Sequence, residues 1–142
     1  MYKIIVFTHG DLSKSLKNTA EMISGFNDDV EFFGIPLGCD TGKVLDQITT
    51  SIDQSEQAGV DVLVFTDLFF GTPFNLLMTI VNSHKFSHIT GVNLPILLEA
   101  ITLQDQKDLL FHEVLDDLVS KGRASVVNCD ILVQELLRKK ES

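Results

Sequence analysis

Cysteine is scarce in this chain. Cys39 and Cys129 are the only two, 90 residues apart, and neither has a second ligand type close by. A disulfide framework and a cysteine-built metal site are therefore not expected, and two reduced thiols of the cytoplasm are. Basic residues are also few, with 11 Lys and Arg against 20 Asp and Glu, a net charge of −9 and a pI near 4.7. Five of the eleven lie from Lys121 onward, so the rest of the chain is more acidic still. Nucleic acid is excluded as a partner, because neutralising phosphates needs clustered basic side chains. Long apolar runs are missing too: Val62–Phe65 and Leu94–Leu98 fall far short of the roughly 20 residues of a membrane span. The start of the chain has no pattern of a secretory signal, since Ile4–Thr8 reads as a strand. No Pro- or Ser-rich linker, internal repeat or low-complexity segment divides the sequence.

What is present fits one domain. The 142 residues are 44% apolar and 22% charged, ordinary for a globular protein able to bury a core unaided. Tyr2–Thr8 is a nearly continuous apolar run, the mark of a strand buried on both faces. His9-Gly10 breaks it, and Asp11 can cap a helix with Leu12, Leu16, Ala20 and Ile23 on one face. Val30–Ile35 is a second strand, followed by a helix from Asp40 or Thr41 carrying Val44, Leu45, Ile48 and Ile52. Val60–Thr66 is a third. Thr72-Pro73 then resembles an N-cap and first helical position, with a helix through Val81. A fourth strand is expected around His88–Val92, a helix from Pro95, and another over Leu110–Val119 ended by Gly122. Ala124–Cys129 has the composition of a short last strand, and Asp130 can cap a terminal helix.

This alternation predicts an α/β fold: a mostly parallel sheet covered by helices on both faces. In such sheets ligands bind outside the carboxyl ends of the strands, where strand order reverses. Two junctions therefore hold the candidate chemistry. Thr8-His9-Gly10 offers an imidazole, a glycine and a helix start. Asp67 to Asn75 offers a carboxylate, a glycine, a hydroxyl and a second helix start. If the first and third strands are neighbours, His9 and Asp67 face each other across the rim. A carboxylate accepting from one ring nitrogen fixes the tautomer and leaves the other nitrogen free as a nucleophile. Gly10 and Gly71 would let backbone approach an incoming anion, and Thr72 stands beside them. This constellation suits a histidine that takes and returns a phosphoryl group. The same residues also read as a strand-end histidine, a turn aspartate and a plain N-cap.

The motifs Ile4–Gly10, Asp67–Asn75 and Gly91-Val92-Asn93-Leu94-Pro95, in that order, resemble the enzyme IIA domain of the mannose-fructose-sorbose phosphotransferase family. The resemblance covers residues 1–129 and leaves 130–142 as a C-terminal helical extension. It implies that His9 is the phosphorylated histidine and Asp67 its orienting partner, in a phosphotransferase with no cofactor. It also implies the histidine phosphocarrier protein as donor and a IIB component as acceptor. Through IIB the chain would reach the membrane IIC and IID transporter, its expected contact with the membrane. A homodimer is implied as well, with the last short strand antiparallel and exchanged between subunits. Many relatives have two glycines before the hydroxyl residue, where this chain has Phe70-Gly71. Phe69 occupies a position where relatives commonly place an aromatic beside the histidine, which makes it the candidate for partner docking.

Other readings are weaker. His84 and His88 are four apart but lack the intervening glutamate of a zinc motif, so no metal is expected. His112 reads as a surface or boundary residue. A flavodoxin would need a hydroxyl- and glycine-rich loop after the first strand, and a response-regulator receiver an acidic cluster there. The phosphoryl donor subunit of a dihydroxyacetone kinase shares the fold and the histidine and is the nearest alternative. A regulatory or ligand-binding α/β module without enzymatic activity is another.

Overall fold

In the computed structural model, which describes residues 1–38 and 40–141, four strands each lead into a helix and two further helices end the described chain. Cys39, read above as a plain thiol, lies outside the described residues. Strands β1 (Tyr2–His9), β2 (Val30–Ile35), β3 (Asp61–Thr66) and β4 (Ser87–Thr90) form one sheet in the order β2-β1-β3-β4. Every pairing is parallel, with Ile4 opposite Val30 and Leu63, and Thr66 opposite Thr90.

The two sheet faces are buried by different helices because successive strand residues point to opposite sides. On one face Ile4, Val6, Leu63 and Phe65 pack against α1 (Leu12–Ser24), α4 (Leu94–Leu103) and α5 (Phe111–Ala124). On the other, Ile5, Phe7, Val62 and Val64 pack against α2 (Thr41–Gln57) and α3 (Thr72–Met78). Each such side chain fully buried contributes about 1.5–3 kcal/mol. Central β1 and β3 therefore read as continuous apolar runs. Gly122 does not end α5: the helix crosses α4 there so closely that a Cβ would lie 2.9 Å from Ile96 Cδ1.

Several boundaries differ from the sequence reading. The buried face of α1 carries Ser13 and Ala20, with Leu16 packed alongside, whereas Leu12 and Ile23 are exposed. Ser13 is drawn inward because its N–H donates to Thr8 Oγ1 at 2.7 Å and its hydroxyl to Phe33 O at 2.9 Å. Helix α3 stops at Met78 rather than Val81. The chain there tightens into i→i+3 bonds from Thr79 and Ile80, and the Thr79 hydroxyl donates back to Leu76 O. The first helical residue is Thr72 itself, with Gly71 in the cap position.

The expected fifth, antiparallel strand at Ala124–Cys129 is not formed. Ala124 ends α5 and Cys129 begins α6 (Cys129–Glu141), leaving a four-residue connector. Local hydrogen bonds take up its polar groups. Ser125 donates to Gly122 O, and the Asn128 side chain accepts from the N–H groups of Asp130 and Ile131. Asn128, not Asp130, is thus the residue that caps α6. A strand exists only where an edge pairs with it, and this segment meets no edge within its own chain.

Candidate functional site

The strand order reverses between β1 and β3, which places their carboxyl ends side by side at the centre of the sheet. His9 ends β1 and Asp67 follows β3 directly. Asp67 Oδ2 accepts twice from the same residue: from His9 N at 3.1 Å and from His9 Nδ1 at 2.9 Å. The paired bonds fix both the backbone and the ring of His9. With a proton on Nδ1 held by the carboxylate, Nε2 is left as the nitrogen with a free lone pair. Asp67 is mostly covered, its side chain 13% exposed against 46% for His9. Its second oxygen, Oδ1, is buried and makes no hydrogen bond. The anion is thus sheltered while the ring stands at the rim.

The loops beneath this pair are set by backbone geometry. Gly10 turns the chain into α1 at φ +51, and its N–H donates to Ile35 O. Under Thr8 Oγ1, which accepts from Ser13, the hydroxyl proton goes to His9 O at 3.1 Å. Gly71 lies under the imidazole: a Cβ there would come within 2.7 Å of His9 Cε1. The ring therefore rests on backbone that only a glycine leaves open. Phe70 has φ +61, the left-handed conformation that favours glycine. Asn75 holds this bend, its side chain donating to Phe70 O at 3.1 Å.

Three phenylalanines line the same loop. The rings of Phe69 and Phe70 have centroids 4.0 Å apart, and Phe74 meets them edge-on at 5.0 and 5.4 Å. Phe69 and Phe70 are both exposed, as is Leu68. Neither ring folds back into the core. Thr72 stands at the start of α3 beside them.

A second layer escaped sequence reading. On β4, His88 bonds Thr66 Oγ1 through Nε2 at 2.7 Å, and the Thr66 hydroxyl reaches Thr90 Oγ1 at 2.9 Å. Burial pushes the His88 imidazole down to about 4, so it is neutral near pH 7. Its ring packs against Phe74 at 5.2 Å. This network backs the residue that precedes Asp67. No sequence signal marks it, because parallel pairing across 24 residues brings Thr66 to Thr90. His84 does not join His88: it lies in a turn beside Asp53 and Ser83. Among the described residues, no three His, Cys, Asp or Glu side chains cluster as metal ligands would.

The structure thus pairs an imidazole and a carboxylate at the topological switch point of a parallel sheet, a geometry in which one ring nitrogen can act as a nucleophile. Comparison with known proteins makes the class specific. A family model described as the fructose IIA component of the phosphotransferase system matches residues 3–119. The fructose-specific EIIA component of Bacillus subtilis is 30% identical over 136 residues, covering 91% of this chain and 87% of that protein. The mannose-specific EIIAB component of Escherichia coli is 29% identical over 124 residues, but this chain spans only 38% of its length. Among solved structures, the IIA protein associated with the fucose utilization operon of Streptococcus pneumoniae superposes with a TM-score of 0.80 at 27% identity. That likeness covers 93% of this chain and 96% of the other. EIIA from Streptococcus agalactiae gives 0.79 at 25% identity, covering 92% and 99%. The chain belongs to the mannose-fructose-sorbose type of EIIA components of the sugar phosphotransferase system. No helix among the described residues is long and apolar enough to cross a membrane.

Proposed function

We propose that this chain is a phosphocarrier that accepts a phosphoryl group on His9 Nε2 and passes it on during sugar uptake. The observation that carries the reading is the double hydrogen bond from His9 to Asp67 Oδ2, which occupies Nδ1 and leaves the Nε2 lone pair for attack, on a half-exposed ring. The Nε2 lone pair attacks phosphorus as the donor's nitrogen–phosphorus bond breaks. The Nδ1 proton stays with His9, held by Asp67, whose charge balances the positive charge that builds on the ring. Gly10 and Gly71 keep the backbone beside the ring free of side chain, their own N–H groups being bonded to Ile35 O and Leu68 O, and Thr72 at the start of α3 offers its hydroxyl to the phosphoryl oxygens. The second transfer reverses the first with a new acceptor.

By family membership, the donor is the histidine phosphocarrier protein and the acceptor a IIB component, which links the chain to the membrane IIC and IID proteins. The exposed Phe69 and Phe70 beside a half-exposed histidine suit docking of a protein, since aromatics are enriched at interface centres. A homodimer is part of this reading, supported by the exposed apolar residues after α5. The test is labelling from phosphoenolpyruvate, enzyme I and the histidine phosphocarrier protein, followed by site mapping. His9→Ala should abolish the label. A variant labelled to full extent at another residue would refute the assignment.

A further inference from the structure

We infer that His88 is a positioning residue for the transfer step, tying together the two ends of the loop that carries Asp67 and Gly71. The inference rests on the phosphocarrier reading and deepens it, since it names what holds the site loop in place.

Asp67 has little of its own to fix it. Its Oδ2 takes both His9 donors, and its Oδ1 is buried without a hydrogen bond. Among the described residues, no side chain other than His9 bonds the carboxylate. Its place therefore follows that of the backbone around it.

His88 reaches that backbone at both ends. Where the loop leaves β3, His88 Nε2 lies 2.7 Å from Oγ1 of Thr66, a fully buried residue next to Asp67. The Thr66 hydroxyl proton goes to Thr90 Oγ1 at 2.9 Å, so the imidazole is the donor and carries its proton on Nε2. Thr66 O accepts from Val92 N, which fixes the carbonyl as well as the side chain. Where the loop enters α3, the His88 ring packs against Phe74, in the first turn of that helix. Phe74 in turn meets Phe69 and Phe70 edge-on, and the Phe70 carbonyl is held by Asn75. One imidazole, in register with Val64 on β3, thus braces both the carboxylate and the backbone under the His9 ring.

Histidine suits this place because it combines a donor on one edge with a flat ring. Phenylalanine lacks the donor and glutamine lacks the ring. Burial keeps the imidazole neutral near pH 7, so it acts on the site through geometry and not through charge.

Three variants separate the two ties. His88→Ala removes both, His88→Gln can keep an N–H towards Thr66, and His88→Phe keeps a ring against Phe74. Single-turnover labelling from the phosphorylated histidine phosphocarrier protein is followed over a range of carrier concentrations, with the folded fraction measured on the same samples. His88→Ala should slow the maximal rate at least about tenfold, since a misplacement of about 1 Å can cost about 100-fold. Its Michaelis constant should stay close to the parent's, and the two conservative variants should lie between. A second readout needs no phosphoryl group. The proton NMR signal of His9 Nδ1–H, in its bond to Asp67, should shift or broaden in His88→Ala and return towards the parent in His88→Gln. Parent rates in all three variants would overturn the inference, as would a rise confined to the Michaelis constant. So would a slowing that only tracks lost folded protein while the His9 proton signal is unmoved. If His88→Ala does not fold, the conservative pair decides on the same criteria. A parent chain that takes no label on His9 would refute the phosphocarrier reading, and the proton signal would still report whether His88 holds the His9–Asp67 pair.

Discussion

Replacing Gly71 by alanine tests how closely the imidazole is held. The added Cβ would lie 2.7 Å from His9 Cε1, 3.1 Å from Leu68 O and 3.3 Å from Leu68 Cβ. Carbon–carbon contact is optimal near 3.5–4.0 Å, so the ring must retreat by about 1 Å. The Nδ1–Oδ2 bond is 2.9 Å long, and a displacement of that size breaks or bends it. The consequences for stability and function then separate. Backbone strain is absent, because Gly71 has φ −74 and ψ 171, ordinary extended values for alanine. The atom that must move is the far end of a half-exposed side chain, so the fold loses under about 1 kcal/mol. Transfer suffers far more, since a misplacement of about 1 Å can cost about 100-fold in rate. Rapid-quench labelling from the phosphorylated carrier, beside thermal unfolding, reads both quantities. A rate within twofold of the parent's would show that Gly71 does not seat the ring.

Three further outcomes follow from the same geometry. Asp67→Asn should keep the fold but slow labelling by orders of magnitude, as loss of an orienting carboxylate does in the serine protease triad at about 10⁴-fold; parent rates would make Asp67 a turn residue only. Phe69→Ala should raise the Michaelis constant for the phosphocarrier or the IIB protein while leaving Tm nearly unchanged, because the ring is 58% exposed; unchanged constants in both half-reactions would remove it from the docking surface. His88 sets a pH dependence: its folded value near 4 lies below the ordinary 6.5, so the unfolded chain binds the extra proton between them. Its contribution is complete above about pH 6.5, is lost as pH falls towards 4 and is constant below. Urea unfolding at pH 7 and pH 5 should therefore show a smaller drop in His88→Gln than in the parent, and equal drops would refute the assignment.

Sequence alone determined a good part of this protein. The continuous apolar runs of β1 and β3 specify strands buried on both faces, and their alternation with amphipathic segments specifies parallel crossovers. Val30–Ile35 matches β2 at both ends because Pro36 and Gly38 close it. His9 and Asp67 were legible as candidates, since strand-end positions in a parallel sheet are where chemistry gathers. Local signals could go no further. That both His9 donors converge on one carboxylate oxygen depends on β1 and β3 being neighbours, which is a fact of strand order. Gly71 reads as a flexible loop residue until the imidazole is seen resting on it. The neutral His88 network arises from pairing across the sheet, and no spacing in the chain foretells it. Ala124–Cys129 shows the same limit from the other side. Its β-branched composition predicts a strand, but strand formation is a property of two segments, and this one pairs with no strand among the described residues. Residue type decides which faces must be covered; only the tertiary arrangement decides what covers them.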